Sequence, residues 1–98
     1  MKGDGGQISL VLADDHPFLL EGIARVLDAE SGLSVVAKCG NGVTGLEAIR
    51  QLKPDIAVLD IAMPRLSGLQ VLQIVNDERL ATRIIFFTAT ATDQNIFN

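Results

Sequence analysis

A chain of 98 residues is long enough for one small domain and too short for a second module with a core of its own. Hydrophobic residues make up 48% of it and charged residues 20%, which favours a packed globule over a disordered segment. The net charge of -4 argues against binding of this chain to nucleic acid, which requires clustered basic residues. Cys39 is the single cysteine, so an internal disulfide is excluded, and we interpret it as a buried structural thiol.

The first residues are polar and glycine-rich, and we expect residues 1–7 to form a flexible N-terminus before one domain at residues 8–98. The chain lacks the apolar core of a signal peptide, and its apolar runs are too short to cross a bilayer. These features predict a soluble cytoplasmic protein.

Two patterns predict the secondary structure. Short apolar runs are typical of buried strands, and apolar residues at helical spacing are typical of helices. Four strands are predicted, at Ile8–Ala13, Leu33–Cys39, 56–59 and 84–87. Three helices alternate with them, marked by Leu20, Ile23, Val26 and Leu27, then by Val43, Leu46, Ile49 and Leu52, then by Leu69, Leu72 and Val75. Pro17 suits the first turn of the first helix, and we interpret Gly40, Gly42 and Gly45 as turn residues. The alternation indicates an α/β fold with a parallel sheet.

Three acidic residues stand at the ends of predicted strands. Asp14 and Asp15 follow the first strand and Asp60 follows the third. Functional groups of an open parallel sheet gather beyond the carboxyl ends of its strands, and these two strands are neighbours if the order is 2-1-3-4. Carboxylates brought together in this way either bind a proton or recruit a hard divalent cation, so we predict a Mg2+ site. The backbone carbonyl of Ala62, two residues beyond Asp60, is a further candidate ligand.

Simpler interpretations exist for some of these residues. Asp14 and Asp15 are also placed to cap the first helix, because acids are favoured at helix N-termini. Asp60 is harder to explain in that way, since an acid after a buried apolar strand requires a partner. His16 lies beside Pro17 in a chain with no second histidine, and we interpret it as a surface-loop residue.

Three motifs, taken together and in order, resemble the response-regulator receiver domain. They are Ala13-Asp14-Asp15-His16-Pro17 after strand one, Asp60-Ile61-Ala62-Met63-Pro64 with Gly68 after strand three, and Thr88-Ala89 after strand four. The first motif, followed by Leu20-Glu21-Gly22, looks most like the subfamily whose output is a LuxR-type helix-turn-helix DNA-binding domain. The resemblance covers the chain from Ile8 onward. It implies a flavodoxin-like, doubly wound parallel sheet of order 2-1-3-4.

The resemblance also implies a function in two-component signal transduction. A sensor histidine kinase would transfer a phosphoryl group to Asp60, with Mg2+ held by Asp15, Asp60 and the Ala62 carbonyl, and with Asp14 acting mainly through water. Thr88 matches the switch hydroxyl that responds to the phosphoryl group. The chain would act as a phosphoacceptor, with at most self-phosphotransfer and autodephosphorylation, rather than as an enzyme. It would control a transcriptional output domain that this chain does not contain.

The chain departs from the family pattern near its end. We expect the fifth strand and last helix to be missing, together with the family's phosphoryl-pairing lysine, because no lysine follows Lys53. Arg65, Arg79 and Arg83 do not stand where that lysine belongs, and none is assigned its role. Strand four would then be an apolar edge, so we expect a homodimer.

Other functions on related folds fit less well. A flavin or nucleotide site would need a loop rich in glycine or hydroxyl groups where Asp14 and Asp15 stand, because acids there repel phosphate. A phosphatase with an aspartate nucleophile would carry that residue on the first strand with a second acid two residues later. A receiver-like interaction module with weak or no phosphorylation remains open as the alternative.

Overall fold

Residues 6–87 are described by a computed structural model, in which parallel strands alternate with helices. The strands are β1 (Ile8–Ala13), β2 (Leu33–Cys39), β3 (Ile56–Asp60) and β4 (Arg83–Phe87). The helices are α1 (Pro17–Asp28), α2 (Gly42–Leu52) and α3 (Gly68–Asp77). The observed strand order, β2-β1-β3-β4, confirms the predicted α/β fold with order 2-1-3-4. The predicted N-terminal flexibility concerns residues 1–7, of which 1–5 lie outside the described part.

The register between β1 and β3 brings their carboxyl ends to the same edge of the sheet. Ala13 is the partner of Leu59, so the residues that follow β1 lie next to the end of β3. At the opposite edge, Asp55 Oδ2 accepts hydrogen bonds from the backbone N–H of Ser9 at 2.8 Å and from its hydroxyl at 3.0 Å. These bonds help to hold the register that places the acidic residues together.

The sheet is covered by helices on both faces, and its strands alternate between two apolar clusters. The larger cluster joins alternate residues of β1 and β3 to α2 and α3, through Val11, Ala13, Ala57, Leu59, Leu46, Ile49, Val71 and Val75. The smaller cluster joins the other face to α1, through Leu10, Leu12, Leu20 and Ala24. This arrangement explains why the strands read as continuous apolar runs. Cys39 is buried and free, as predicted.

The apolar residues at helical spacing are not all buried. Four of the residues whose spacing marked the helices are exposed: Val26, Val43, Leu52 and Leu69. Small or branched residues lie inside instead, namely Ala24, Gly45 and Val71.

The interpretation of Gly42 and Gly45 as turn residues is wrong, because both belong to α2. A Cβ at Gly42 would lie 1.9 Å from the backbone oxygen of Leu66, and one at Gly45 would lie 3.1 Å from the Cβ of Ala13. These glycines let α2 approach β1 and the loop after β3. Within residues 6–87, helices are too short or too polar to cross a membrane.

Candidate functional site

Two buried carboxylates lie beyond the carboxyl ends of β1 and β3. The Asp14 residue is 1% exposed and Asp60 is 0% exposed. The backbone N–H of Asp14 donates to the carbonyl of Cys39 at 3.0 Å, which ties the end of β1 to the end of β2. The third acid, Asp15, has a side chain that is one-third exposed. The sheet therefore brings together the three acids that the sequence predicted.

Each buried carboxylate has one oxygen that makes no hydrogen bond with a described residue. Asp14 Oδ2 and Asp60 Oδ2 are buried and accept no hydrogen bond. The other oxygen of Asp60 accepts one from the backbone N–H of Ala62, at 3.3 Å. Burial, followed by the neighbouring carboxylate of Asp14, raises the pKa of Asp60 above its ordinary value. Unpaired anionic oxygens in a buried position indicate a site for a proton or a cation.

His16 lies in the exposed loop before α1, as predicted, and it also contacts this cluster, which the sequence analysis did not predict. Its Nδ1 lies 2.9 Å from Asp14 Oδ1, 3.1 Å from Asp15 Oδ1 and 3.7 Å from Asp60 Oδ2. The hydrogen bond to Asp14 is the main reason that the pKa of His16 is raised above its ordinary value. The side chain is still about half exposed.

A local signal for this contact exists in the sequence. Pro17 follows His16 and restricts the preceding residue to extended backbone, and His16 has φ -105° and ψ 100°. The backbone N–H of His16 also donates to Asp14 Oδ1, at 3.2 Å. This short turn carries the imidazole back over the two acids that precede it in the chain.

The capping interpretation of Asp14 and Asp15 is not supported. The N-cap residue of α1 is His16, and no side chain makes a capping hydrogen bond at this helix terminus. The carboxylate of Asp14 accepts from His16, which precedes the helix, rather than from the first turn of α1.

The loop after β3 is held close to Asp60 by a glycine. The Gly68 N–H donates to the carbonyl of Ile61 at 2.8 Å, and a Cβ on Gly68 would lie 2.5 Å from the backbone oxygen of Asp60. Ser67 then begins α3 with a capping box that includes Gln70. Met63 is buried in the core under this loop, which agrees with a structural role for it.

The cluster has the composition of a cation site. One potential ligand atom from each of Asp14, Asp15, His16 and Asp60 lies within 4.8 Å of the other three. Ala62 stands in the adjoining loop, and the role of its carbonyl as a ligand stays a prediction. Thr88, predicted as the switch hydroxyl, lies outside the described residues.

No ion pair joins these acids to a lysine or an arginine within residues 6–87, and their basic contact there is His16. Arg65, Arg79 and Arg83, which the sequence analysis left without a role, are therefore not brought to the cluster as charge partners.

The parallel sheet with adjacent acids at the ends of β1 and β3 defines a receiver domain of two-component signalling. In agreement with this, the model of the family described as "Response regulator receiver domain" matches residues 10–98, and the chain belongs to that family. The resemblance predicted from the three motifs is confirmed.

The similar proteins include NarL-type regulators. The nitrate/nitrite response regulator protein NarL of Escherichia coli K12 is 31% identical over 88 residues, which cover 90% of this chain and 41% of that protein. The probable transcriptional regulatory protein NarL of Mycobacterium tuberculosis H37Rv is 36% identical, over 85% of this chain and 38% of that protein. The chain thus spans about two fifths of the length of these relatives.

Solved structures agree with the family assignment. The signal receiver domain of the putative response regulator NarL from Mycobacterium tuberculosis superposes with a TM-score of 0.84 at 33% identity, covering 93% of this chain and 73% of that one. A LuxR-family two-component response regulator from Aurantimonas gives a TM-score of 0.80 at 29% identity, covering 88% of this chain and 61% of that one.

Proposed function

We propose that this chain is a phosphoacceptor module that receives a phosphoryl group on Asp60 from a sensor histidine kinase. The observation that carries the proposal is the position of Asp60: it is completely buried at the end of β3, with one carboxylate oxygen unpartnered beside two further acids. A carboxylate in such a position is held in place for nucleophilic attack and is incompletely satisfied without a ligand.

The proposed reaction is a transfer between two covalent carriers. A carboxylate oxygen of Asp60 attacks the phosphorus of a phosphohistidine, the phosphorus–nitrogen bond breaks, and an acyl phosphate forms on Asp60. The released imidazole of the kinase takes up a proton. The chain's own contribution is to position the nucleophile through the Ala62 N–H and the packing of β3.

Three acids around a transferring phosphoryl group would oppose the reaction by charge repulsion. The buried oxygens of Asp14 and Asp60 that accept no hydrogen bond, and the one-third exposed carboxylate of Asp15, fit the all-oxygen ligand preference of Mg2+. We infer that Asp15, Asp60 and the carbonyl of Ala62 hold Mg2+, and that Asp14 contributes mainly through water. When bound, Mg2+ supplies neutralisation of the charge on the phosphoryl oxygens.

The relatives named above are regulators, and their names support a proposal about the wider context. We infer that the chain serves in the cytoplasm as the receiver of a transcriptional response regulator, with Thr88 as the switch hydroxyl and with no direct contact to DNA. Its acidic net charge is consistent with the last point.

A small phosphodonor tests the proposed function without the cognate kinase. Acetyl phosphate with Mg2+ should add one phosphoryl group to the wild-type chain, detected by intact mass and removed by hydroxylamine, which cleaves acyl phosphates. Asp60→Asn should not be modified. Asp77→Asn, which removes an exposed acid on α3, is the matched control and should be modified like wild type.

Two outcomes would count against the proposal. Equal modification of Asp60→Asn and wild type would show that Asp60 is not the acceptor. No modification of the folded wild-type chain would favour the alternative of a receiver-like interaction module.

A further inference from the structure

The imidazole of His16 lies against all three acids of the cluster. Its Nδ1 is within 3.7 Å of an oxygen of each of the three acids, and it is closer to Asp14 and Asp15 than to Asp60. The role proposed above for the cluster uses oxygen ligands alone and leaves this nitrogen unexplained.

We propose that His16 Nδ1 is itself a ligand in the site, so that the cluster binds first-row transition cations such as Co2+ and Zn2+ with a preference that depends on this nitrogen. The inference rests on the proposed function in one respect, the binding of a divalent cation among Asp14, Asp15 and Asp60.

The distances within the cluster match those between ligands of one small cation. Metal–ligand bonds of about 2.0–2.2 Å place neighbouring ligand atoms roughly 3.0 Å apart in an octahedral site and roughly 3.4 Å apart in a tetrahedral one. The separations from Nδ1 to the oxygens of Asp14, Asp15 and Asp60 are 2.9, 3.1 and 3.7 Å. These separations are compatible with one cation bound by Nδ1 together with Asp15 and Asp60, and with Asp14 reaching it through water.

A second observation points to a ligand independently of the distances. Asp14 and Asp60, which both belong to the cluster, each have a buried oxygen that accepts no hydrogen bond from a described residue. The hydrogen bond from His16 satisfies the other oxygen of Asp14 and leaves these two free. A cation can contact both of these oxygens, whereas the N–H of one imidazole nitrogen can donate a hydrogen bond to only one of them.

The chemistry of the ligand atoms determines which cations His16 helps to bind. Imidazole nitrogen is a good ligand for Co2+, Ni2+ and Zn2+, whereas Mg2+ prefers oxygen and retains several waters. Ligation through Nδ1 requires the tautomer with the ring proton on Nε2, so the metal would replace the hydrogen bond between Nδ1 and Asp14. Pro17 restrains the backbone of His16, so little backbone freedom is lost when a metal binds the ring.

The experiment compares two cations on the same variants. Affinities for Mg2+ and Co2+ are measured by calorimetry on the folded, full 98-residue chain, and the visible spectrum of Co2+ reports its ligands. In His16→Asn the affinity for Co2+ should fall at least about tenfold, since even residues that merely orient metal ligands contribute about 10–100-fold. The affinity for Mg2+ should change much less. Cys39→Ser, which alters the one thiol of the chain, should leave both affinities as in wild type.

A second measurement does not depend on a variant that folds. In the wild-type chain labelled with 15N-histidine, Zn2+ should shift the Nδ1 resonance of His16 and leave Nε2 protonated. An unchanged ratio of Co2+ to Mg2+ affinity in His16→Asn, or an Nδ1 resonance that Zn2+ does not move, would overturn the inference.

The two proposals fail in different ways. Asp60→Asn should weaken the binding of both cations. If wild type binds neither, the cation requirement of the proposed function is wrong as well. If Mg2+ binds and depends on Asp60, while His16→Asn leaves the cation preference unchanged, only the role of His16 is wrong.

Discussion

The carboxylate of Asp60 is buried, and one of its oxygens makes no hydrogen bond with a described residue. A buried, unpartnered anionic oxygen destabilises the folded state. We expect Asp60→Asn to stabilise the metal-free chain at neutral pH by about 1–3 kcal/mol, the desolvation penalty of such a group. Urea unfolding measures the difference. The control Asp77→Asn, on an exposed position, should change the free energy of unfolding by less than about 0.5 kcal/mol.

The difference in the free energy of unfolding between Asp60→Asn and wild type should depend on pH. Because burial raises the pKa of Asp60, protonation favours the folded state, and this stabilisation is fully present below the ordinary value of 3.8. This stabilisation is lost as pH rises through the raised pKa of Asp60 in the folded chain. The greater stability of Asp60→Asn relative to wild type should therefore be absent in acid. It should grow as pH rises from 3.8 through the raised pKa of Asp60. An advantage that is constant with pH would contradict this explanation.

The pKa of His16 reports on the electrostatics of the acidic cluster. It is the single histidine of the chain, so its ring protons are assigned without ambiguity in an NMR titration. We expect the pKa of His16 to lie above the ordinary 6.5, chiefly because of its hydrogen bond to Asp14. Asp14→Asn should lower that pKa more than Asp15→Asn does. Equal effects of the two variants would show that the hydrogen bond is not the main cause.

At the scale of elements, the start of α3 is fitted against the end of β3. Gly68→Ala would place a Cβ 2.5 Å from the backbone oxygen of Asp60, so the loop or the strand must move. We expect a loss of about 1–3 kcal/mol of stability, as for other overpacked positions. Displacement of Asp60 should also weaken Mg2+ binding, measured by calorimetry.

Gly22 in α1 is the matched control for this substitution. A Cβ at Gly22 would have no atom within 4 Å, and the residue is exposed within the helix. Gly22→Ala should raise the free energy of unfolding by about 0.5–1 kcal/mol, because alanine has the higher helix propensity. Destabilisation by both substitutions would show that the close approach at Gly68 is not the cause.

At the scale of the whole molecule, β4 is the exposed flank of the described sheet. It pairs with β3 and with no other strand among residues 6–87. Its residues 84–87 are apolar and uncharged, and Ile85 is 50% exposed. Uncharged apolar edges favour pairing with another chain. We propose that two chains associate through β4 across a two-fold axis.

Light scattering over a concentration series tests the association. Wild type should form dimers, and Ile85→Lys should shift the equilibrium towards monomers by placing a charge on the edge strand. Leu69→Lys, at a similarly exposed apolar position on α3, should associate like wild type. A wild-type chain that stays monomeric at high concentration would disprove the proposed dimer.

The sequence by itself determined the order of the elements, the parallel sheet and the acids at its carboxyl edge. Each of these depends on a pattern that is local in the chain, such as the apolar run before Asp60 or the proline after His16. Parallel strands all end at one edge, and the strand order implied by the family resemblance makes β1 and β3 neighbours, so Asp14 and Asp60 were expected to meet.

The tertiary structure alone decided which side of each helix is buried and what fills the acidic cluster. Val43 and Leu69 marked the helical spacing of α2 and α3, yet both are exposed. Instead, α2 approaches β1 through Gly45 and α3 buries Val71, because close packing selects the face that fits the sheet. The contacts of His16 with Asp14 and Asp15 are local in the chain, whereas its approach to Asp60 depends on the pairing of β1 with β3 and emerged only from the folded chain.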